Sequence, residues 1–259
     1  MQIDIYQVDA FASRPFEGNP AAVCPLDAWL PDSLMQSIAL ENNLSETAFF
    51  VPEGDGYAIR WFTPLAEVDL CGLATLASAW VIFHRLGHDE GAIRLASRSG
   101  PLTVNREGDL LELDFPAQPP VPCPVPDGLA GALGAEPREC LEFVDLVAVF
   151  DDPEDVLQAE PDMAALATLD YRGIIITAPS AKYDFISRFF GPAVGVPEDP
   201  VTGSAHTKLT PYWAQRLGKK QLNARQASAR GGDLECTLAG DRVLIAGRAV
   251  LFLQGTLEV

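Results

Sequence analysis

The chain repeats itself, and a duplicated chain can fold in few ways. At a displacement of 131 residues, the difference between positions 67 and 198, Glu67 falls on Glu198, Gly72 on Gly203 and Ala74 on Ala205. The same displacement carries Arg85, Leu86 and Gly87 onto Arg216, Leu217 and Gly218, then Ala96, Ser97 and Gly100 onto Ala227, Ser228 and Gly231. Upstream the register slips by three, and Arg60, Phe62 and Pro64 match Arg188, Phe190 and Pro192 at a displacement of 128. Such self-similarity predicts two copies of one unit. The copies straddle PAQPPVPCPVP, residues 116–126, in which positions 116, 119, 120, 122, 124 and 126 are proline. Proline on that scale suits neither a strand interior nor a helix. The stretch reads as a linker between two halves, or else as a long edge loop within one domain. The boundaries that follow are residues 1–117, completed by a C-terminal strand at 249–259, and residues 118–248.

Each copy has the order strand, loop, helix, strand. The segments QIDIYQVDAF, TAFFV, YAIRWF, AIRLAS, LTVNR, LLELDF, FVDLVAVF, RGIIITAP, DFISRFF, LECTLA and DRVLIAGRAVLFLQGTL read as strands. They are rich in β-branched and aromatic residues and are separated by Gly, Pro and Asp. Two long helices are predicted, over 71–87 and 202–218, with shorter ones at 32–41, near 127–133 and around 153–169. Both long helices look apolar around most of their circumference, so each must be surrounded. A curved sheet around a central helix satisfies that need. The two helices begin at EVDLCG and EDPVTG. A helix start presents unpaired N–H groups and partial positive charge, and glycine lets a ligand approach the backbone. Two such starts lining one cleft would hold an anion such as a carboxylate. Alternatively, each glycine serves close helix–strand packing.

The net charge of −18 argues against a nucleic-acid partner, since phosphate neutralisation needs clustered Lys and Arg. No apolar run is long enough to span a bilayer. MQIDIYQVDAF reads as a first strand and not as a signal peptide, which gives a cytoplasmic expectation. Cys24, Cys71, Cys123, Cys140 and Cys236 show no CxxC spacing, so neither a disulfide framework nor a zinc ribbon is suggested. His84 and His88 flank Gly87, which is expected to end the helix, so their rings need not share a face.

FEGNPAAV (16–23), NLSETAFF (43–50), RWFTPLAEVDLCGLATLASA (60–79), EDPVTGSAH (198–206) and SARGGDLE (228–235), in that order, resemble the PhzF family over nearly the whole chain. The resemblance implies an α+β fold of two pseudo-symmetric diaminopimelate-epimerase-like lobes. Each lobe would be a curved mixed β-sheet wrapped around a central α-helix. It also implies an active site between the lobes, a homodimer, no metal or organic cofactor, and isomerisation by moving a proton in a small cyclic or aromatic-like carboxylate.

By the same resemblance Glu46 is the acid/base carboxylate, and Asp199 and Ser204 form a second catalytic cluster. Gly72 and Gly203 would bring backbone amides to the substrate, beside Cys71, Leu73 and Thr202. Read without the family, Glu46 is equally a surface or capping residue, and Asp199 and Ser204 equally a helix cap. Where most relatives carry histidine, this chain has Leu73, which cannot hydrogen bond or shuttle a proton. Substrate, rate or chemistry therefore differs, and His206 is the nearby histidine. True epimerases of this fold use one thiol from each lobe, whereas here Cys71 is matched by Thr202. Cys71 is either a thiol activated by the helix start or an inert buried one. Three functions remain open: the isomerase, another enzyme acting beside a carboxylate, and a binding protein that has lost the chemistry.

Overall fold

Ten of the fourteen residues of the helix Gly72–Arg85 are buried. A helix so apolar has no face to offer to water, and a sheet encloses it. The computed structural model describes residues 1–259. The chain divides into two compact units, Met1–Asp114 with Ala246–Val259, and Phe115–Ile245.

The first unit runs β1 (Gln2–Ala10), β2 (Asn19–Pro25), α1 (Asp32–Asn42), β3 (Glu46–Glu53), β4 (Gly56–Phe62), β5 (Glu67–Val68), α2 (Gly72–Arg85), β6 (Ala92–Ser97), β7 (Gly100–Glu107) and β8 (Leu110–Pro116). The second runs β9 (Val121–Cys123), α3 (Leu129–Leu133), β10 (Glu139–Glu142), β11 (Leu146–Val149), α4 (Pro153–Leu157), α5 (Met163–Leu166), β12 (Ile174–Pro179), β13 (Phe185–Gly191), β14 (Val196–Asp199), α6 (Gly203–Leu217), β15 (Gln221–Gln226), β16 (Gly232–Ala239) and β17 (Arg242–Gly247). A last strand, β18 (Ala249–Glu258), returns to the first unit and pairs with β1.

The repeat is a repeat of strand pairings. In the first unit the order β18–β1–β2–β3–β4–β6–β7 is antiparallel, antiparallel, parallel, antiparallel, parallel, antiparallel. In the second, β9–β10–β11–β12–β13–β15–β16 follows the same succession. Each unit is thus a mixed sheet with one helix, α2 or α6, crossing between two parallel strands. Outer helices cover the other face. Met35, Ile38 and Ala39 of α1 pack with Phe49 and Phe62, while Val156 and Leu166 of α4 and α5 pack with Ile174, Ile176 and Phe190.

The conserved offset has a physical cause at both ends of the helices. Gly87 and Gly218 both take the left-handed conformation that ends a helix, at φ 73° and 66°. Ahead of the helices, Arg60 grips Glu67 at 2.7 and 2.8 Å, and Arg188 grips Glu198 at 2.7 and 3.1 Å. The third arm of each guanidinium reaches the outer helical layer: Asp32 for Arg60, and the carbonyls of Val156 and Ala159 for Arg188. Each fork also lies over the second phenylalanine-bearing position along, Phe62 or Phe190. The three-residue slip lies between the bridged partners, where the second unit inserts a short 3₁₀ turn at Pro192–Val194.

Several boundaries differ from the sequence reading. Residues 19–25 and 221–226 form strands that were not predicted, because PAAVCP and QLNARQ carry few β-branched residues. DRVLIAGRAVLFLQGTL is two strands, broken where Gly247 passes so close to the Phe11 ring that a Cβ would meet it at 2.4 Å. The helix expected around 153–169 is two short helices with Pro161 between them. Within the proline-rich stretch, Val121–Cys123 forms an edge strand on β10. Proline is tolerated there because an edge residue can leave its N–H side unpaired.

Pro211, inside α6, has a use. It has no N–H to offer the carbonyl of Thr207, and that carbonyl accepts instead from the N–H of Gln118 at 3.0 Å. The Gln118 side chain in turn accepts from Lys208 at 2.8 Å and Thr207 at 3.1 Å. The helix thereby holds the proline-rich segment at a defined point.

The Arg188 fork is expected to matter far more than an exposed pair. Arg188→Met strands Glu198 and two carbonyls and should cost about 3 kcal/mol. Arg94→Met, which breaks an exposed pair with Asp55, should cost about 0.5 kcal/mol or less. Urea denaturation of both variants measures the difference.

Candidate active site

Both helix starts lie at defined ends of their own sheets. In the first unit α2 runs back from the Phe62 end of β4 to the start of β6, which lies parallel to β4. Thr47 pairs with Phe62, so the first turn of α2 is at the end of the sheet where β3 begins. Glu46 opens β3, half-buried, in register with Ala21. Phe49 faces α1, so strand alternation turns Glu46 to the other face with Ala48 and Phe50, the face that α2 covers. Glu46, Cys71, Gly72 and Leu73 therefore share one end of one unit.

Cys71 caps α2. Its Sγ accepts from the N–H of Ala74 at 3.4 Å, and the thiol is 7% exposed. Helix geometry leaves the amides of Gly72 and Leu73 without intrahelical partners. The Leu73 side chain is buried among the core residues of the unit. A leucine here is accommodated as packing.

The second unit has the same layout with polar contents. α6 begins at the end of its sheet where β12 begins. Thr202 occupies the capping position, its N–H donates to Gln226 at 2.7 Å, and its hydroxyl donates to Asp199 at 2.5 Å. The Gln226 amide nitrogen donates to the carbonyl of Asp199 at 2.8 Å. Asp199, Thr202, Gly203 and Ser204 are thus brought together. Ser204 is exposed, and its hydroxyl accepts from Arg172 at 3.2 Å.

His206 is fully buried one turn in. Its Nδ1 lies 2.9 Å from the carbonyl of Thr202. Only a protonated Nδ1 bonds to a carbonyl, which leaves Nε2 as the unprotonated nitrogen. Burial pushes this imidazole down to about 4, so it is neutral at pH 7. The position corresponds to Thr75, whose hydroxyl makes the matching bond to the carbonyl of Cys71. His206 is therefore a structural partner of the cap and does not replace a histidine at position 73.

The two units diverge where chemistry would sit. Phe62 and Phe190 are repeat partners, opposite Thr47 and Ile174. The residue corresponding to Glu46 is therefore Gly173. A Cβ there would meet the Phe189 ring at 2.2 Å, so a side chain would require that ring to move. Likewise Leu73 corresponds to Ser204, Cys71 to Thr202 and Val68 to Asp199.

Four residues at the second helix start escaped the sequence reading. Asp145 is wholly buried and holds Arg172 through two bonds of 2.8 and 2.6 Å. Lys208, 1% exposed, lies 3.2 Å from the same carboxylate and donates to the carbonyl of Ser204 at 3.0 Å. Gln118 completes the group. The Asp145 carboxylate holds the Arg172 guanidinium above its usual range, with Asp199 adding at longer range, while burial lowers the Lys208 ammonium. The visible signal was a lysine on a helix otherwise read as apolar on most faces.

His84 and His88 do not converge: His84 bonds to the carbonyl of Trp80 and His88 to that of Ala92. No group of three or more His, Cys, Asp or Glu side chains is arranged to hold a metal ion. No helix is long and apolar enough to cross a membrane.

Comparison with known proteins bears on the family and the fold. The family model described as phenazine biosynthesis-like protein matches residues 8–255. An uncharacterized isomerase of Pseudomonas aeruginosa is 58% identical over 259 residues, covering 100% of both chains. A crystal structure of a PhzF-family phenazine biosynthesis protein from Enterococcus faecalis superposes with a TM-score of 0.98 at 47% identity, covering 100% of each chain. A protein described as a predicted epimerase, from Pseudomonas aeruginosa, shares the fold at a TM-score of 0.77 and 22% identity, covering 99% of each chain. The match along almost the whole sequence, the duplicated sheet-around-helix fold and the curated relatives named as isomerases lead to one conclusion: the chain belongs to the PhzF family and is an isomerase.

Proposed function

We propose that the protein isomerises a small cyclic or aromatic-like carboxylate by moving a proton, with Glu46 as the acid/base group. The observation that carries this reading is the asymmetry of the two helix starts. One bears a carboxylate, and the equivalent place in the other is Gly173, closed by Phe189. A reaction that takes a proton from one carbon and returns it to another on the same face needs one such group. Inversion at a single carbon needs two, from opposite faces, and neither the Glu46 position nor the Cys71 position has its like in the second unit.

In this mechanism Glu46 removes a C–H proton, and the electron pair spreads through the conjugated system toward the carboxylate. The amides of Gly72 and Gly203, with the Ser204 hydroxyl, hold the negative charge that develops. Asp199, braced by Thr202, orients the substrate. The protonated Glu46 then returns the proton at the far end of the conjugated system. These steps use the side chains and amides alone, and no metal or organic cofactor takes part. The working protein is a cytoplasmic homodimer. Five free thiols suit a reducing compartment.

A second reading, an altered or lost chemistry on the same scaffold, is favoured by Leu73, whose buried side chain gives the substrate no polar contact.

Three outcomes are expected. Glu46→Gln should slow exchange of a substrate C–H proton with deuterated solvent at least ~100-fold, followed by NMR, and unchanged exchange would remove Glu46 from the mechanism. Leu73→His should leave the reaction type unchanged in product analysis; turnover appearing where the parent has none would favour the second reading. Light scattering should give about twice the 27.9 kDa chain mass, and a single-chain mass would refute the homodimer.

A further inference from the structure

Resting on the carboxylate reading above, we infer that Arg172 is a substrate-binding residue. Together with the Ser204 hydroxyl it grips a carboxylate of the substrate, and the buried Asp145 and Lys208 position it.

The case begins with how the donors are used. A guanidinium has five N–H groups in a fixed plane. Arg172 spends Nε and one hydrogen of Nη2 on Asp145, and its other Nη2 hydrogen on Ser204 Oγ. The Nη1 amino group carries two more. Because Ser204 Oγ receives a hydrogen bond from Arg172, its own proton is directed elsewhere. The Ser204 hydroxyl is free to turn its proton outward, and with Nη1 it supplies the two donors that a carboxylate requires.

The platform is rigid. Asp145 is fully buried, and its two oxygens fix the guanidinium plane. Lys208 approaches the same carboxylate at 3.2 Å and also donates to the carbonyl of Ser204. Residue 204 is therefore held by Lys208 through its backbone and by Arg172 through its side chain. The Arg172 guanidinium lies over the Phe189 ring at 5.8 Å, the same ring that closes the space above Gly173. At the level of β12 where the first unit starts β3 with a carboxylate, the second unit thus presents a cation. The Arg172 side chain remains 42% exposed, whereas the groups that brace it are 0% and 2% exposed. A planar fork pinned on one edge and open on the other loses little freedom on binding.

The test uses benzoate as the probe, and neutral benzamide as its control, on the full-length protein. Benzoate should raise the melting temperature of the wild type, and benzamide should not. In Arg172→Met the benzoate affinity should fall roughly 10- to 100-fold, as expected for loss of a charge-assisted pair. Arg172→Lys, which keeps the charge and loses the fork, should fall between. In 15N-arginine-labelled wild type, the Arg172 side-chain resonances should move on titration with benzoate, a response that a purely structural ion pair would not give. Benzoate that fails to bind the wild type, that leaves the Arg172 resonances unmoved, or that binds Arg172→Met as tightly as wild type overturns the assignment. Failure of the isomerase reading would show in the solvent-exchange assay, independently of this binding result.

Discussion

An enclosed helix can offer a ligand only its ends. That constraint organises both units. Most residues of α2 and α6 are buried, apolar ones prevailing in α2 and polar ones mixed among them in α6. Their flanks are committed to packing, so the unpaired amides of the first turn are the chemically available part. The sheet then determines what stands next to those amides. The crossover connection brings the start of each helix to the level where a parallel strand begins, so β3 and β12 supply the neighbouring side chains.

Duplication supplied two such ends, and divergence made them different. Where both copies keep Arg, Glu and Gly, the reason is structural: the Arg–Glu forks tie the strand to the outer helical layer, and the glycines end the helices. Where the copies differ, the change lies at the helix starts. Glu46 faces Gly173 in the alignment, Leu73 faces Ser204, and Cys71 faces Thr202. One start is apolar with a carboxylate at hand, and the other is polar, braced by Gln226, Asp145 and Lys208.

The sheet-around-helix plan was legible because its signals are local. Periodicity marked the long helices, Gly87 and Gly218 marked their ends, and the shared offset marked the duplication. Strand edges were less legible. Asn19–Pro25 has a composition that favours no strand, and its place is set by pairing with β1 and β3, a long-range effect. The short strand in the proline-rich segment is likewise created by β10. Among the candidate residues, the motif positions around 46, 71–73 and 199–204 could be named from sequence. Asp145, Arg172 and Gln118 could not, because they are isolated polar residues in loops until folding gathers them around Lys208. The role of Pro211 was hidden for the same reason: its partner, the N–H of Gln118, lies 93 positions earlier in the sequence, the difference between 211 and 118.

Each unit borrows an edge. The first is completed by β18 from the far end of the chain, and the second by β9, reached directly after β8. The exchange is reciprocal, since β9 follows the last strand of one copy and β18 the last strand of the other. A single copy severed from the other would therefore leave β1 or β10 without its outer partner, so neither copy has a complete sheet of its own. The outer ends of the borrowed strand and of β1 meet where the N–H of Val259 donates to the carbonyl of Met1, so the exchanged arm is held along its whole length.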